Sequence, residues 1–293
     1  PYIFLNNKPI FINGLLDQGY YQNNLTPKSY EDYLNDIDNI KNLGFNTLRV
    51  HIKNELDMFY YYCDTNGILV IQDIPNGGDK YSFWTMLRGG LFPFIKKKND
   101  HNYKAFSRNG EEGRKEYFEI LNKTMSNLSN HPSIIMYTLF NEGWGQFDSK
   151  EVYEYAKEID NSKIFDVASG WYDNGFNEIE SIHNYFFPLK IKKNLQKPVI
   201  FTEFGGYSYI ENEHFYGTKV FGYRVFKSKD KLNKVYKKLY SKIYKLKLKG
   251  LAGVIYTQLN DVEDETNGLY TLDREILKID SEVIKEINSK LKI

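Results

Sequence analysis

Eight short apolar runs alternate with helical stretches across 293 residues, which predicts an α/β protein: one (β/α)8 TIM barrel filling residues 1–293. Three observations carry this reading. Eight runs of strand length, each followed by a helix or a loop in its place, fit slightly more than the ~250 residues usual for the architecture. The first run leads into the stretch NGLLDQGYY at residues 13–21, which is not the glycine-rich phosphate loop expected there in an open doubly wound sheet. Polar and aromatic residues also collect where the apolar runs stop, at the strand ends on which barrels of this kind carry their sites.

In chain order, residues 10–16 form the first strand, entered through the turn Asn6-Asn7-Lys8-Pro9. Residues 30–43 form a helix with Ser29 as N-cap, Tyr33, Ile37, Ile40 and Leu43 on one face, and Gly44 as its stop. Residues 46–51 are the second strand, residues 56–66 a helix ending at Gly67, and residues 68–74 the third strand, closed by Pro75. Between residues 75 and 110 the rhythm breaks. Glycine pairs at Gly77-Gly78 and Gly89-Gly90, a lysine run at 96–98 and no sustained period predict a long loop. A helix over 111–130 then places Tyr117, Leu121, Met125 and Leu128 at helical spacing and feeds the fourth strand, residues 134–140, across His131-Pro132. Residues 150–159 are helical, and 163–168, 181–185 and 198–203 are the fifth, sixth and seventh strands. The helix over 232–248 keeps one apolar stripe, so its many lysines read as a solvated outer face rather than a polyanion site. Residues 251–259 give the eighth strand and 282–291 the closing helix.

Composition narrows the function. A hydrophobic content of 41%, with 16% aromatic, excludes a disordered chain, and a net charge of +1 argues against nucleic acid or a membrane surface as the main partner. No run approaches the ~20 apolar residues of a membrane span and no signal sequence opens the chain, which leaves the compartment open and leans only slightly to the cytoplasm. Triplets of the glycosylation type at Asn24, Asn122 and Asn127 do not decide it, since so short a pattern arises readily by chance in an Asn-rich chain. Cys63 is the single cysteine, which rules out an internal disulfide framework and reads as a buried inert thiol on a helix. The acidic run at 261–265 (DVEDE) fails the spacing of a calcium loop and reads as an entrance lining. No metal and no cofactor is expected, and the oligomeric state is left open.

The chemistry is organised by residues 134–146, reading IIMYTLFNEGWGQ, in which a buried strand surfaces at Asn141-Glu142. A carboxylate half-desolvated at such a strand end can hold a proton near neutrality as a general acid. Alone, it would more often pair with a lysine or cap a helix. Residues 198–206, reading PVIFTEFGG, repeat the pattern with Glu203 at the end of the seventh strand. Two carboxyl groups facing each other across a sugar ring are what glycosidic cleavage needs: one protonates the leaving oxygen, the other attacks the anomeric carbon or directs water at it. Asp17, Arg49, His51, Asp73, Asn141, Trp171, His183, Tyr185, Gln258 and Asp261 supply the remaining strand ends, a polar and aromatic set suited to gripping hydroxyls and stacking on a pyranose.

These residues, with GFNTLRVHIK, SGWYD, SIHNYFFP and YTQLNDVEDETNGLYTLDRE, resemble the catalytic barrel of glycoside hydrolase family 2 over nearly the whole chain. The resemblance implies a retaining, exo-acting β-glycosidase with a carbohydrate substrate. It implies Glu142 as acid/base, Glu203 as nucleophile, Asn141 as donor to the sugar 2-hydroxyl, and Arg49 as a fixed cation near the nucleophile. His51, Trp171, His183, Tyr185, Gln258 and Asp17 are expected to line the substrate pocket, with Tyr256 where relatives often carry a tryptophan floor. Departures concern sugar choice: Val-His-Ile-Lys follows Arg49 where many relatives have Ser-His-Tyr-Pro, and Asp17-Gln18-Gly19 replaces an Arg-His-Glu cluster. Relatives usually carry β-sandwich and immunoglobulin-like domains before the barrel, so a chain opening at Pro1 is expected to be a piece of a longer protein. The other reading is a sugar-binding pseudoenzyme, or a barrel inactive without those domains.

Overall fold

The structure is a computed structural model and describes residues 1–22, 26–91 and 98–292. The Asn24 triplet and most of the 96–98 lysine run lie outside the described residues. Eight parallel strands form one sheet: β1 (Ile12–Asp17), β2 (Thr47–Val50), β3 (Leu69–Asp73), β4 (Ile134–Asn141), β5 (Ile164–Ser169), β6 (Glu180–Asn184), β7 (Val199–Gly205) and β8 (Leu251–Thr257). Their order is β5-β4-β3-β2-β1-β8-β7-β6, so the sheet curls until its two end strands, β5 and β6, meet. There side chains replace the backbone ladder. Asp166 on β5 accepts from Ser181 Oγ on β6 at 2.7 Å and from Asn177 Nδ2 at 2.9 Å, while Asn177 Oδ1 accepts from the Ala168 N–H at 2.8 Å. The result is a nearly closed barrel, with the predicted strands within a few residues of their expected positions.

Alternation along each strand separates two cores. Ile12, Leu16, Ile71, Met136, Ile200, Ala252 and Ile255 fill the barrel interior, and a short hairpin, Ile3–Leu5 against Lys8–Ile10, adds Ile3 to it. Leu15, Leu48, Val70, Tyr137, Phe165, Phe201 and Val254 face outward against the helices. Those helices are α1 (Tyr30–Asn42), α2 (Asp57–Asn66), α3 (Phe83–Leu91), α4 (Glu111–Leu128), α5 (Ser149–Ile159), α6 (Lys229–Lys247) and α7 (Ser281–Leu291). Helix α1 starts as its sequence demands: the Asp32 carboxylate accepts from the Ser29 N–H at 3.0 Å, half of a capping box. Helix α2 stops at Gly67, whose φ of 70° lies in the left-handed region where a Cβ is costly.

The 75–110 segment departs from the expected loop. It holds α3 and a turn of 3₁₀ helix at Tyr103–Phe106. The pair Gly89-Gly90 within α3 hid the helix, because glycine lowers helix propensity by about 1 kcal/mol and masks a short periodic stretch. Gly89 is retained for contact, since a Cβ there would come within 2.4 Å of the Trp171 ring. No helix of the described residues is long and apolar enough to cross a membrane.

Candidate active site

Above the apolar layers of the barrel interior, toward the C-terminal strand ends, the inward positions turn polar. At their centre is Arg49 on β2, fully buried. Its Nε and Nη2 each donate to Asp73 of β3 at 2.9 Å, a bidentate fork. Nη1 donates to Glu203 Oε1 and to the Thr202 carbonyl, both at 3.1 Å, and Nη2 also donates to Asn141 Oδ1 at 2.8 Å. One guanidinium thus ties together β2, β3, β4 and β7. Burial works against the arginine's charge, but Asp73 and Glu203 more than offset it and push its pKa upward. Burial likewise opposes the Asp73 carboxylate, yet Arg49 and the nearby His51 bring it down to about 2. His51 lies with Nδ1 3.3 Å from Asp73 Oδ2, in ion-pair range but out of hydrogen-bond alignment.

Glu142 and Glu203 meet over His183. An oxygen of each carboxylate and a nitrogen of the imidazole all lie within 4.8 Å of one another. His183 Nδ1 is 2.8 Å from Glu142 Oε1, and its Nε2 is 3.0 Å from Ser169 Oγ and 3.4 Å from Arg49 Nη1. Burial holds the imidazole pKa down at about 4, so His183 is neutral. Arg49 can only donate, so Nε2 accepts and the ring proton sits on Nδ1, where it donates to Glu142. Burial also lifts Glu142 to about 7, with His51 and Arg49 keeping it from rising further. Glu203 takes its second hydrogen bond from Tyr185, whose hydroxyl donates to Oε2. Tyr185 lies 3.1 Å from Thr257 Oγ1 and stacks on Tyr223 with ring centroids 3.6 Å apart. Around the seam, Ser169, Ser181 and Thr202 pass hydrogen bonds to Asp166, which burial raises to about 6.

The expected site residues divide into those that converge here and those that do not. Arg49, His51, Asn141, Glu142, His183, Tyr185 and Glu203 converge. Gln258 reaches the same mouth from the end of β8, with Nε2 donating to Glu265 at 2.9 Å. Trp171 is half-buried beside the mouth, its ring laid against Gly89 of α3.

Two expectations fail. Tyr256 does not form a floor: it shares the outward parity of Val254, is buried among Phe204, Tyr236 and Tyr240, and accepts at its hydroxyl from the Tyr207 N–H at 3.2 Å. Asp17 likewise has the parity of Leu15 rather than Leu16. Its Oδ1 accepts from the Gly19 N–H at 2.8 Å, and burial together with Glu55 and Asp36 lifts it to about 7 on the helix side of the sheet. A period-2 count would have caught both, and the same count selects Gln18, which does enter the pocket with Nε2 2.7 Å from Gln258 Oε1. Asp261 departs from the reading of the acidic run as an entrance lining, for this one residue of the run is buried and paired with Lys278 Nζ at 2.6 Å. Tyr81 and Tyr223 come from irregular segments and carried no sequence signal.

Among the described residues, two groups of acids with a histidine are close enough to share a cation: Glu142, His183 and Glu203, and the more exposed His214, Asp273 and Glu275. In the first, Arg49 already places a positive charge against Glu203.

Comparison with known proteins agrees with this architecture. The family model described as glycosyl hydrolases family 2, TIM barrel domain, matches residues 2–210. A β-galactosidase large subunit from Lactobacillus acidophilus is 26% identical over 211 residues, 69% of this chain and 31% of that protein. A putative β-glucuronidase from Formosa agariphila is 26% identical over 134 residues, 46% of this chain and 11% of that one. Among solved structures, a family 2 β-galacturonidase from Eisenbergiella tayi bound to galacturonate superposes with a TM-score of 0.71 at 18% identity, covering 98% of this chain and 52% of that chain. The Ruminococcus gnavus β-glucuronidase in complex with uronic isofagomine gives 0.74 at 16% identity, covering 100% and 53%. The chain therefore spans under a third of the curated relatives it matches and about half of these solved chains. With the family model spanning most of its length and the barrel complete, this chain belongs to glycosyl hydrolase family 2, as its TIM barrel domain.

Proposed function

We propose that this barrel hydrolyses the O-glycosidic bond of a β-hexopyranoside by a retaining double displacement, with Glu142 as acid/base and Glu203 as nucleophile. The supporting observation is the pair itself: carboxylate oxygens within 4.8 Å, joined by one neutral imidazole and distinguished by their surroundings. Retaining enzymes keep these groups close, roughly 5–5.5 Å between carboxyls, whereas inversion needs roughly 6.5–9.5 Å to admit a water.

The roles follow from the hydrogen bonds. His183 occupies Glu142 Oε1, so Oε2 is the oxygen that delivers the proton to the leaving group and later takes one from water. Arg49 and Tyr185 fix both oxygens of Glu203, aiming the carboxylate rather than leaving it to rotate. Because Asn141 Oδ1 is taken by Arg49, its amide NH₂ is left as a donor for the sugar 2-hydroxyl, a contact that tightens as the ring approaches an oxocarbenium ion. The similar proteins are named for neutral and for uronic sugars, and both classes are hexopyranosides. Incubation with an activated 2-fluoro β-glycoside should leave one sugar on Glu203, located by mass spectrometry of the digested protein. Labelling of any other residue refutes Glu203 as the nucleophile, and no labelling while Glu142→Gln and wild type bind sugar equally leaves a sugar-binding barrel in place of a hydrolase.

A further inference from the structure

The acidic run at 261–265 is only partly explained by the catalytic pair. Asp261 is spent on Lys278, and Asp264 accepts at one oxygen from the N–H groups of Thr218 and Lys219 at 2.6 and 2.8 Å. Glu265 behaves differently. Its Oε2 accepts from Gln18 Nε2 at 3.0 Å and from Gln258 Nε2 at 2.9 Å, the residues just past the ends of β1 and β8. Those two amides are locked in turn, Gln18 donating to Gln258 at 2.7 Å and Gln258 to Asn267 at 2.9 Å. The other oxygen, Oε1, takes no hydrogen bond among the described residues. The side chain is half-buried and lies on the mouth of the catalytic pocket: Glu203 and His51 both act on it electrostatically, and Tyr223 feels Glu142, Glu203 and Glu265 together.

The charge of this mouth is one-sided. Both partners of Glu265 are neutral amides. Arg49 is consumed by Asp73 and Glu203, and Lys53 is held by Glu55 at 2.9 Å and by the Gly19 carbonyl. His51 faces Asp73. A sugar ring standing over Glu142 and Glu203 therefore meets carboxylates both beneath it and on the β1–β8 flank, with no uncommitted cation described there.

We propose that Glu265, braced by Gln18 and Gln258, determines substrate class: it accepts hydroxyls of a neutral β-hexopyranoside and repels the carboxylate of a β-glycosiduronide. This rests on the β-glycosidase reading above. Like charges brought together in a partly desolvated pocket discriminate strongly, because the rejected ligand loses its hydration and gains no counterion.

The test compares substrates that differ only at C6. On p-nitrophenyl β-galactoside against β-galacturonide, and β-glucoside against β-glucuronide, kcat/KM should favour the neutral member by about 100-fold or more in the better pair. Glu265→Gln keeps the shape and an acceptor but removes the charge, and should narrow that ratio by about tenfold, mainly through the KM of the uronide. A preference for the uronide, or a ratio unchanged in the variant, overturns the proposal. If none of the four is turned over, the hydrolase reading fails by itself, and charge selection is then read by calorimetric binding of galactose against galacturonate and glucose against glucuronate. Uronates bound as tightly as the neutral sugars, or no sugar bound at all, would also overturn it.

Discussion

Glu142→Gln tests the catalytic assignment twice, once through rate and once through stability. Burial raises this carboxyl from its ordinary 4.5 to about 7, so near neutrality about half the molecules carry the proton that the leaving group needs. For a glycoside with a poor leaving group, kcat/KM should then fall about tenfold per pH unit above 7, while a 2,4-dinitrophenyl glycoside, which departs without protonation, should show no such limb. The variant loses the limb along with most of its activity on the poor substrate. The same proton governs folding. The folded state holds it more tightly than the unfolded chain, so its stabilising effect is complete below pH 4.5 and is lost as the pH rises to about 7, beyond which nothing further changes. The displacement corresponds to about 3 kcal/mol of penalty on the charged form. Glutamine cannot ionise, so urea unfolding should show the variant gaining on wild type by about 2–3 kcal/mol between pH 5 and pH 8. An alkaline limb of the same position with the dinitrophenyl glycoside would put the titration on another group. A stability difference that ignores pH would refute the burial argument behind it.

Three further outcomes follow from the same contacts. Tyr185→Phe keeps the ring stacked on Tyr223 but removes the donor to Glu203, so kcat should fall by about 100-fold with the unfolding midpoint nearly unchanged. Arg49→Met takes the forked partner from buried Asp73 and leaves it facing only His51, which should cost about 3–5 kcal/mol in chemical denaturation, with Arg49→Lys restoring little because an ammonium cannot make the forked contact. Tyr256→Phe should cost about 1 kcal/mol for the lost bond from the Tyr207 N–H while sparing kcat and KM, and a raised KM would bring Tyr256 back into the pocket.

What could be read from the sequence follows from how local each determinant is. The apolar period that defines a strand or helix lies within a dozen residues, so every barrel strand was legible, and so were Glu142 and Glu203, since each ends such a run. Inward or outward direction needed one more step, the parity count, and without it Asp17 and Tyr256 were assigned to the wrong face while Gln18 was missed. Residues that reach the site from irregular chain were legible at most as composition: Glu265 was one member of an acidic run read as an entrance lining, and Tyr223 gave no signal. Glu265 is fixed by Gln18, 247 positions away, as well as by Gln258, and Tyr223 is placed by its stack on Tyr185, long-range pairings that no local window contains. The hairpin at the barrel base and the side-chain seam at Asp166 are of the same kind: each is a long-range arrangement of residues whose neighbours in the chain say nothing of it.

The long segment after β3 gains a purpose from the backbone of the acid itself. Glu142 has φ 53° and is followed by Gly143 at 72°, so a non-glycine residue is held in the left-handed region at a cost of about 1–2 kcal/mol. Such a conformation persists only if its surroundings determine it. From β5, the Ser169 carbonyl accepts from the Glu142 N–H at 3.1 Å, and from the 75–110 segment Tyr81 donates its hydroxyl to the Glu142 carbonyl. The same segment grips the next residues: Asn76 donates to the Trp144 carbonyl at 2.8 Å, the Phe106 carbonyl accepts from the Gly145 N–H at 2.8 Å, and Arg108 donates to the Gly145 carbonyl at 3.3 Å. The stretch in which the β/α rhythm breaks is thus the clamp that turns Glu142 off the end of β4. It also explains why Gly143 and Gly145 follow the acid: a Cβ at either would strike Tyr172 or the Gly77 carbonyl, closing the space through which the clamp reaches the strand end.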